Sequence, residues 1–143
     1  MIRSFVSALA LGALLAVPAL AETHEVKMLN KGEEGRMVFE PAFLRISEGD
    51  TVRFLATDKG HNAESIDGMT PDGTVPFAGK INEEIEVTLD TTGVYGVMCK
   101  PHYAMGMVMT IAVGDVAEPH AGFLEGRIPR KAMERFEGQL SNL

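Results

Sequence analysis

Between positions 84 and 90 the chain alternates without a break. Ile85, Val87 and Leu89 fall on one side, and Glu84, Glu86, Thr88 and Asp90 on the other. A period of two over this length belongs to a strand with one buried face. Residues 51–56 repeat the pattern, with Val52, Phe54 and Ala56 inward. Residues 25–29, 43–47, 93–98 and 108–113 are further apolar-rich candidates. Turn formers separate them: Asn30-Lys31-Gly32, Glu48-Gly49-Asp50, Pro71-Asp72-Gly73 and Thr92-Gly93. Many short strands with turns between them predict an antiparallel sandwich or barrel. With 143 residues, the chain is long enough for one such core and too short for two.

After Gly114 the character changes. Pro119 to Gly126 reads as a short helix, and Pro129 as the first residue of a second. Within the second, Ala132, Phe136 and Leu140 recur at the spacing of one helical face. Two helices at about residues 118–143 are therefore expected to cover part of the sandwich.

The amino end has a different logic. Met1-Ile2-Arg3 is a short basic start, residues 4–17 are apolar, and Pro18-Ala19-Leu20-Ala21 supplies small residues at a cleavage site. Residues 1–21 are expected to be a secretory signal peptide, cleaved to leave one domain over 22–143. The apolar run is shorter than the roughly 20 residues that a membrane span needs. The expected location is a bacterial periplasm.

The formal net charge of −7 gives no basic footprint for nucleic acid or for an anionic membrane surface. One Cys rules out a disulfide framework and a Cys-rich zinc module. A lone thiol in an oxidising compartment needs burial or a metal to protect it.

The chemistry concentrates around that thiol. Cys99 ends an apolar strand candidate, His102 follows three residues on, and Met105 and Met107 precede the next strand. His61-Asn62 lies far upstream, just past another strand. Two imidazoles, a thiolate and a thioether suit copper: sulfur favours Cu(I), and imidazole also serves Cu(II). Such a set leaves no position open for substrate, which points to electron transfer rather than catalysis. Spacing alone does not separate Met105 from Met107.

Cys99-x2-His102-x4-Met107, with the distant His61-Asn62, resembles the metal motif of the cupredoxin family of type 1 (blue) copper proteins. Met28-Leu29-Asn30-Lys31-Gly32, Met37-Val38-Phe39-Glu40-Pro41, Thr57-Asp58-Lys59-Gly60-His61-Asn62, Gly93-Val94-Tyr95-Gly96-Val97 and Pro101-His102-Tyr103 resemble that family too. The likeness spans essentially the whole expected mature chain. It implies an all-β Greek-key β-sandwich or barrel with two C-terminal α-helices. It implies one type 1 copper held by His61, Cys99, His102 and Met107, with His61 buried and one edge of His102 at the surface.

In the family the Asn62 side chain braces the ligand loop, and its backbone N–H points at the Cys99 sulfur. Pro101 has no N–H to add there, so the thiolate stays electron-rich and the reduction potential low. The resemblance also implies docking through an apolar patch at His102, with Met37 and Met105 in it and Lys31, Lys59, Lys80 and Lys100 around it. It implies a monomeric carrier that passes electrons to a copper nitrite reductase, a cytochrome c or a cytochrome c peroxidase. A copper-handling protein would instead show exposed Met/His clusters. A multicopper enzyme would need His-x-His pairs and more domains. His24 and His120 read as plain surface histidines.

Overall fold

The computed structural model describes Ala16 and residues 18–143, so most of the apolar run at 4–17 lies outside the described residues. Eight strands form two sheets: β1 (Thr23–Gly32), β2 (Gly35–Glu40), β3 (Phe43–Ile46), β4 (Asp50–Leu55), β5 (Glu64–Ser65), β6 (Ile85–Leu89), β7 (Gly93–Met98) and β8 (Val108–Val113). One sheet has the order β2-β1-β4-β6 and the other β3-β8-β7-β5. β1 pairs with β4 in parallel, as β3 does with β8; the other named pairings are antiparallel. Each sheet keeps two edges, so the architecture is a two-sheet sandwich and not a closed barrel.

The alternation read from the sequence is present. In β6, Leu89 is buried, Ile85 and Val87 are half-buried, and Glu86 and Thr88 are exposed. In β4, Val52 and Phe54 point inward beside Val26 and Met28 of β1. Tyr95, Val97, Met109 and Ile111 meet them from the second sheet. All six residues of β8 are buried, because a second apolar cluster covers that sheet's outer face. Met69, Val94, Val108, Phe123, Ala132 and Phe136 build it.

The tail differs from expectation. It has one helix, α1 (Arg130–Leu140), not two. Around Pro119–Gly126 the backbone only turns, with Phe123 N–H bonded to His120 O and Glu125 N–H to Gly122 O. Gly122 has φ +87°, a left-handed conformation that interrupts a helix. In α1, Ala132 and Phe136 are buried as the spacing predicts. Gln139 is buried beside them, donating to Val108 O and accepting from the Thr110 hydroxyl. Among the described residues no helix is long and apolar enough to cross a membrane.

β2 escaped the sequence reading. Met37 sits at φ +50°, and the ladder steps from Leu29↔Val38 to Lys31↔Arg36 across it. The register is the same on both sides of Met37; Phe39 joins the main core and its neighbour Val38, on the opposite face, is buried too, so no alternation shows.

His24 is not a plain surface residue. Its Nε2 lies 2.9 Å from Oδ2 of buried Asp50. Asp50 also accepts the backbone N–H of Glu22 at 2.9 Å and of Ser47 at 3.0 Å. The Glu22 N–H bond, then His24, hold the Asp50 carboxyl below the usual carboxylate range. Its ionised form therefore stabilises the fold above the ordinary carboxylate pKa. That stabilisation is lost as pH falls through the lowered native value. Asp50→Asn is expected to cost roughly 1–3 kcal/mol at neutral pH. Urea melts should show the deficit shrinking as pH drops below about 4.

Candidate metal centre

The site lies at one end of the sandwich, where two loops meet. His61 follows the end of β4. Cys99 follows β7 and opens a 3-10 turn, Lys100–Met105, which returns to β8 through Gly106 and Met107. Because β7 and β8 pair through Met98↔Val108, Cys99 and Met107 stand opposite each other. Cys99 N–H donates to Met107 O at 3.0 Å, Met107 N–H to His102 O at 3.1 Å, and His102 N–H to Cys99 O at 3.2 Å. Pro101 sits in the first turn, where a missing N–H costs nothing. Gly106, at φ +87°, makes the left-handed exit that a side-chain-bearing residue resists.

Asn62 ties the loops together. Its Oδ1 accepts the Lys100 N–H at 2.8 Å, and its Nδ2 donates to Glu64 Oε2 at 2.9 Å and Gly79 O at 3.1 Å. Asn82 supports the other side, taking the Gly60 N–H on its Oδ1 and giving its own N–H to His61 O.

Within this frame three donor atoms converge. The Nδ1 atoms of His61 and His102 lie 3.1 Å apart, and the Cys99 sulfur is 3.7 Å from the first and 3.5 Å from the second. The point equidistant from all three lies about 2.0 Å from each, close to the roughly 2.0–2.3 Å of zinc–imidazole and zinc–thiolate bonds. The cradle thus fits one ion. Its thiolate and imidazoles suit copper. Burial holds the His61 imidazole below its ordinary range, with His102 adding to the effect. Burial pushes the Cys99 thiol up, opposed by the backbone N–H groups of Asn62 and His102. Without a metal, the histidine that is deepest in the site is therefore neutral and the thiol protonated.

Burial distinguishes the two loop methionines: Met107 is fully buried in the main core, whereas Met105 is 43% exposed. His61 is buried and His102 is half-exposed. Of the other expected surface residues, Met37 is half-buried and Lys31, Lys59, Lys80 and Lys100 are exposed. Lys59 lies two residues before His61. Lys31 and Lys80 follow Asn30 and Gly79, which bond to His61 and Asn62. Lys100 bonds to Asn62 itself.

Sequence reasoning missed Asn30. Its Oδ1 lies 2.8 Å from His61 Nε2. An amide oxygen only accepts, so Nε2 carries the proton and Nδ1 keeps its lone pair facing Cys99. Asn30-Lys31-Gly32 reads as a turn, and nothing local ties it to a histidine 31 positions away.

Residues 26–114 match the family described as copper binding proteins, plastocyanin/azurin family. The chain belongs to that family. It is 48% identical over 129 residues to the pseudoazurin of Paracoccus pantotrophus, covering 90% of this chain and 89% of the relative. The crystal structure of the Methylobacterium extorquens pseudoazurin superposes with a TM-score of 0.79 at 41% identity, covering 84% of this chain and 98% of that one. The Hyphomicrobium denitrificans pseudoazurin gives 0.77 at 37% identity, covering 85% and 98%. These likenesses group the chain with the pseudoazurins. Like them it is an electron-transfer copper protein and not an enzyme, with one type 1 copper as cofactor.

Asn30→Ala removes the acceptor that orients His61. Loss of such a support typically costs 10–100-fold in metal affinity. Chelator competition is expected to show copper affinity reduced by about that factor.

Proposed function

We propose that His61 Nδ1, Cys99 Sγ, His102 Nδ1 and the Met107 thioether would hold the copper ion. The single observation that carries this reading is the triangle of donor atoms sized for one ion. The bound ion supplies a one-electron Cu(II)/Cu(I) couple. The residues do the rest. Asn62, Asn30 and Asn82 hold the donors in place, and the packed core excludes water from Cys99 and Met107. Pro101 withholds an N–H from the sulfur, which favours the oxidised state. His102 carries the electron's path to the surface, since it alone of the four is partly exposed.

The chain acts as a monomeric periplasmic carrier, exported by residues 1–21 and docking through the face around His102. Met37, Met105 and Pro101 form its apolar part, and Lys31, Lys59, Lys80 and Lys100 ring it. Local charge of this kind steers a partner despite the net charge of −7, because fields are screened over about 8–10 Å in ordinary salt. A copper nitrite reductase is the proposed acceptor. A cytochrome c and a cytochrome c peroxidase are the other redox partners of the same kind.

Purified, copper-loaded protein is expected to be strongly coloured when oxidised and to bleach with ascorbate. Cys99→Ser should be colourless, because the colour arises from thiolate-to-copper charge transfer. Stopped-flow reduction of a copper nitrite reductase should proceed with a rate that falls as salt rises. A colourless Cu(II) form would overturn the ligand reading, and a partner rate indifferent to salt would overturn the lysine-ring docking.

A further inference from the structure

α1 does more than cover a sheet. Its Arg135 donates from Nη1 to Met37 O and to Gly106 O, both at 2.7 Å, and from Nη2 to Arg36 O at 2.9 Å. Three carbonyls from two separate segments thus share one guanidinium. Its planar fork of donors suits such bridging in a way a lysine ammonium does not. One segment carries Met37 at the expected docking face. The other is the residue immediately before Met107.

A second contact reinforces the first. A Cβ on Gly106 would lie 3.0 Å from Lys131 Cβ and 3.1 Å from the Lys131 carbonyl carbon and oxygen. The helix backbone therefore rests directly on Gly106, at a φ of +87°. Gly106 is held from one side by packing and from another by a cation on its carbonyl.

The bond to Gly106 O also has a reach beyond that atom. The same peptide group presents the Met107 N–H, which donates to His102 O at 3.1 Å. Polarising a peptide at its carbonyl strengthens the hydrogen bond made by its N–H. The Arg135 charge is thus transmitted through one peptide to the backbone of Met107 and His102.

We propose that Arg135 is a positioning residue for the copper centre. It fixes Met107 and the His102 turn relative to the sandwich, and ties both to the Met37 segment, so that docking face and ligand loop move as one body. The proposal rests on the ligand reading given above, and its test separates the two.

The test compares Arg135→Gln, Arg135→Lys and Arg135→Ala in the intact protein. Gln139→Leu serves as a control that loosens α1 through its anchor on Val108 and Thr110 without touching Gly106. In the metal-free protein, Arg135→Gln is expected to speed hydrogen exchange of the Met107 amide about tenfold. In the copper-loaded protein, its charge-transfer bands should change in relative intensity. Its reduction potential should fall, because a cation that disfavours Cu(II) has gone.

Arg135→Lys should keep the potential closer to the parent while failing to restore protection of the Met107 amide. Gln139→Leu should lower the melting temperature and leave all three readouts alone. If Arg135→Gln behaves like Gln139→Leu, the proposal is overturned. If Arg135→Ala does not fold, the Gln and Lys variants decide. A parent protein that never colours would defeat the ligand reading, while amide exchange in the metal-free form still judges the clamp.

Discussion

The carboxamide of Asn62 joins two loops that the sheets deliver separately, and the geometry of the centre depends on that junction. His61 arrives from β4 in one sheet, and Cys99 leaves β7 in the other. Asn62 bonds across the gap to Lys100 N–H, and onward along its own segment to Glu64 and Gly79. Three hydrogen bonds on one buried side chain leave the loops little freedom to part. The backbone ring of Cys99, His102 and Met107 then keeps the ligand turn closed from within.

The result is a set of donors brought together before any ion arrives. A buried thiol, a buried imidazole and a second imidazole stand within 3.7 Å of one another. Burial keeps His61 uncharged, so no repulsion between cations opposes the assembly. A frame tied in this way suits one-electron exchange, which is fastest when the donors have little to move. It also places Met107 in the core, where it answers to the packing of the sandwich, and leaves Met105 exposed at the surface.

Much of this was legible in the sequence. The alternation at Val52, Phe54, Ile85, Val87 and Leu89 reports a half-buried sheet, because the pleat has a fixed period of two. Cys99, His102 and Met107 fall in one loop, His61-Asn62 follows another strand candidate, and the resemblance joins the four into one ligand set. What escaped depends on contacts between distant segments. Asn30 reads as a turn residue until the fold sets it against His61. Arg135 reads as one charge on a helix face until its acceptors, 98 and 29 positions away, come into place. The first of the two expected helices, at Pro119–Gly126, did not form because Gly122 and Pro119 set the backbone locally, where apolar spacing is a weaker guide. β2 was hidden because Val38 and Phe39, on opposite faces of the strand, are both buried, which removes the alternation.

Charge of both signs lies around the two loops. The four lysines expected at the docking face all lie within two residues of a group in, or bonded to, the two loops, and the carboxylates of Asp58 and Glu64 bond to Asn30 and Asn62 beside them. The central claim is that His61, Cys99 and His102 form the copper cradle in advance of the metal. Crystal structures of the metal-free and copper-loaded protein, the latter with anomalous scattering at the copper edge, test it most directly. The account predicts one anomalous peak inside the triangle, with the three donor atoms moving by no more than a few tenths of an ångström between the two forms. A peak elsewhere, or a metal-free loop in which Cys99 and His102 swing apart, would contradict it.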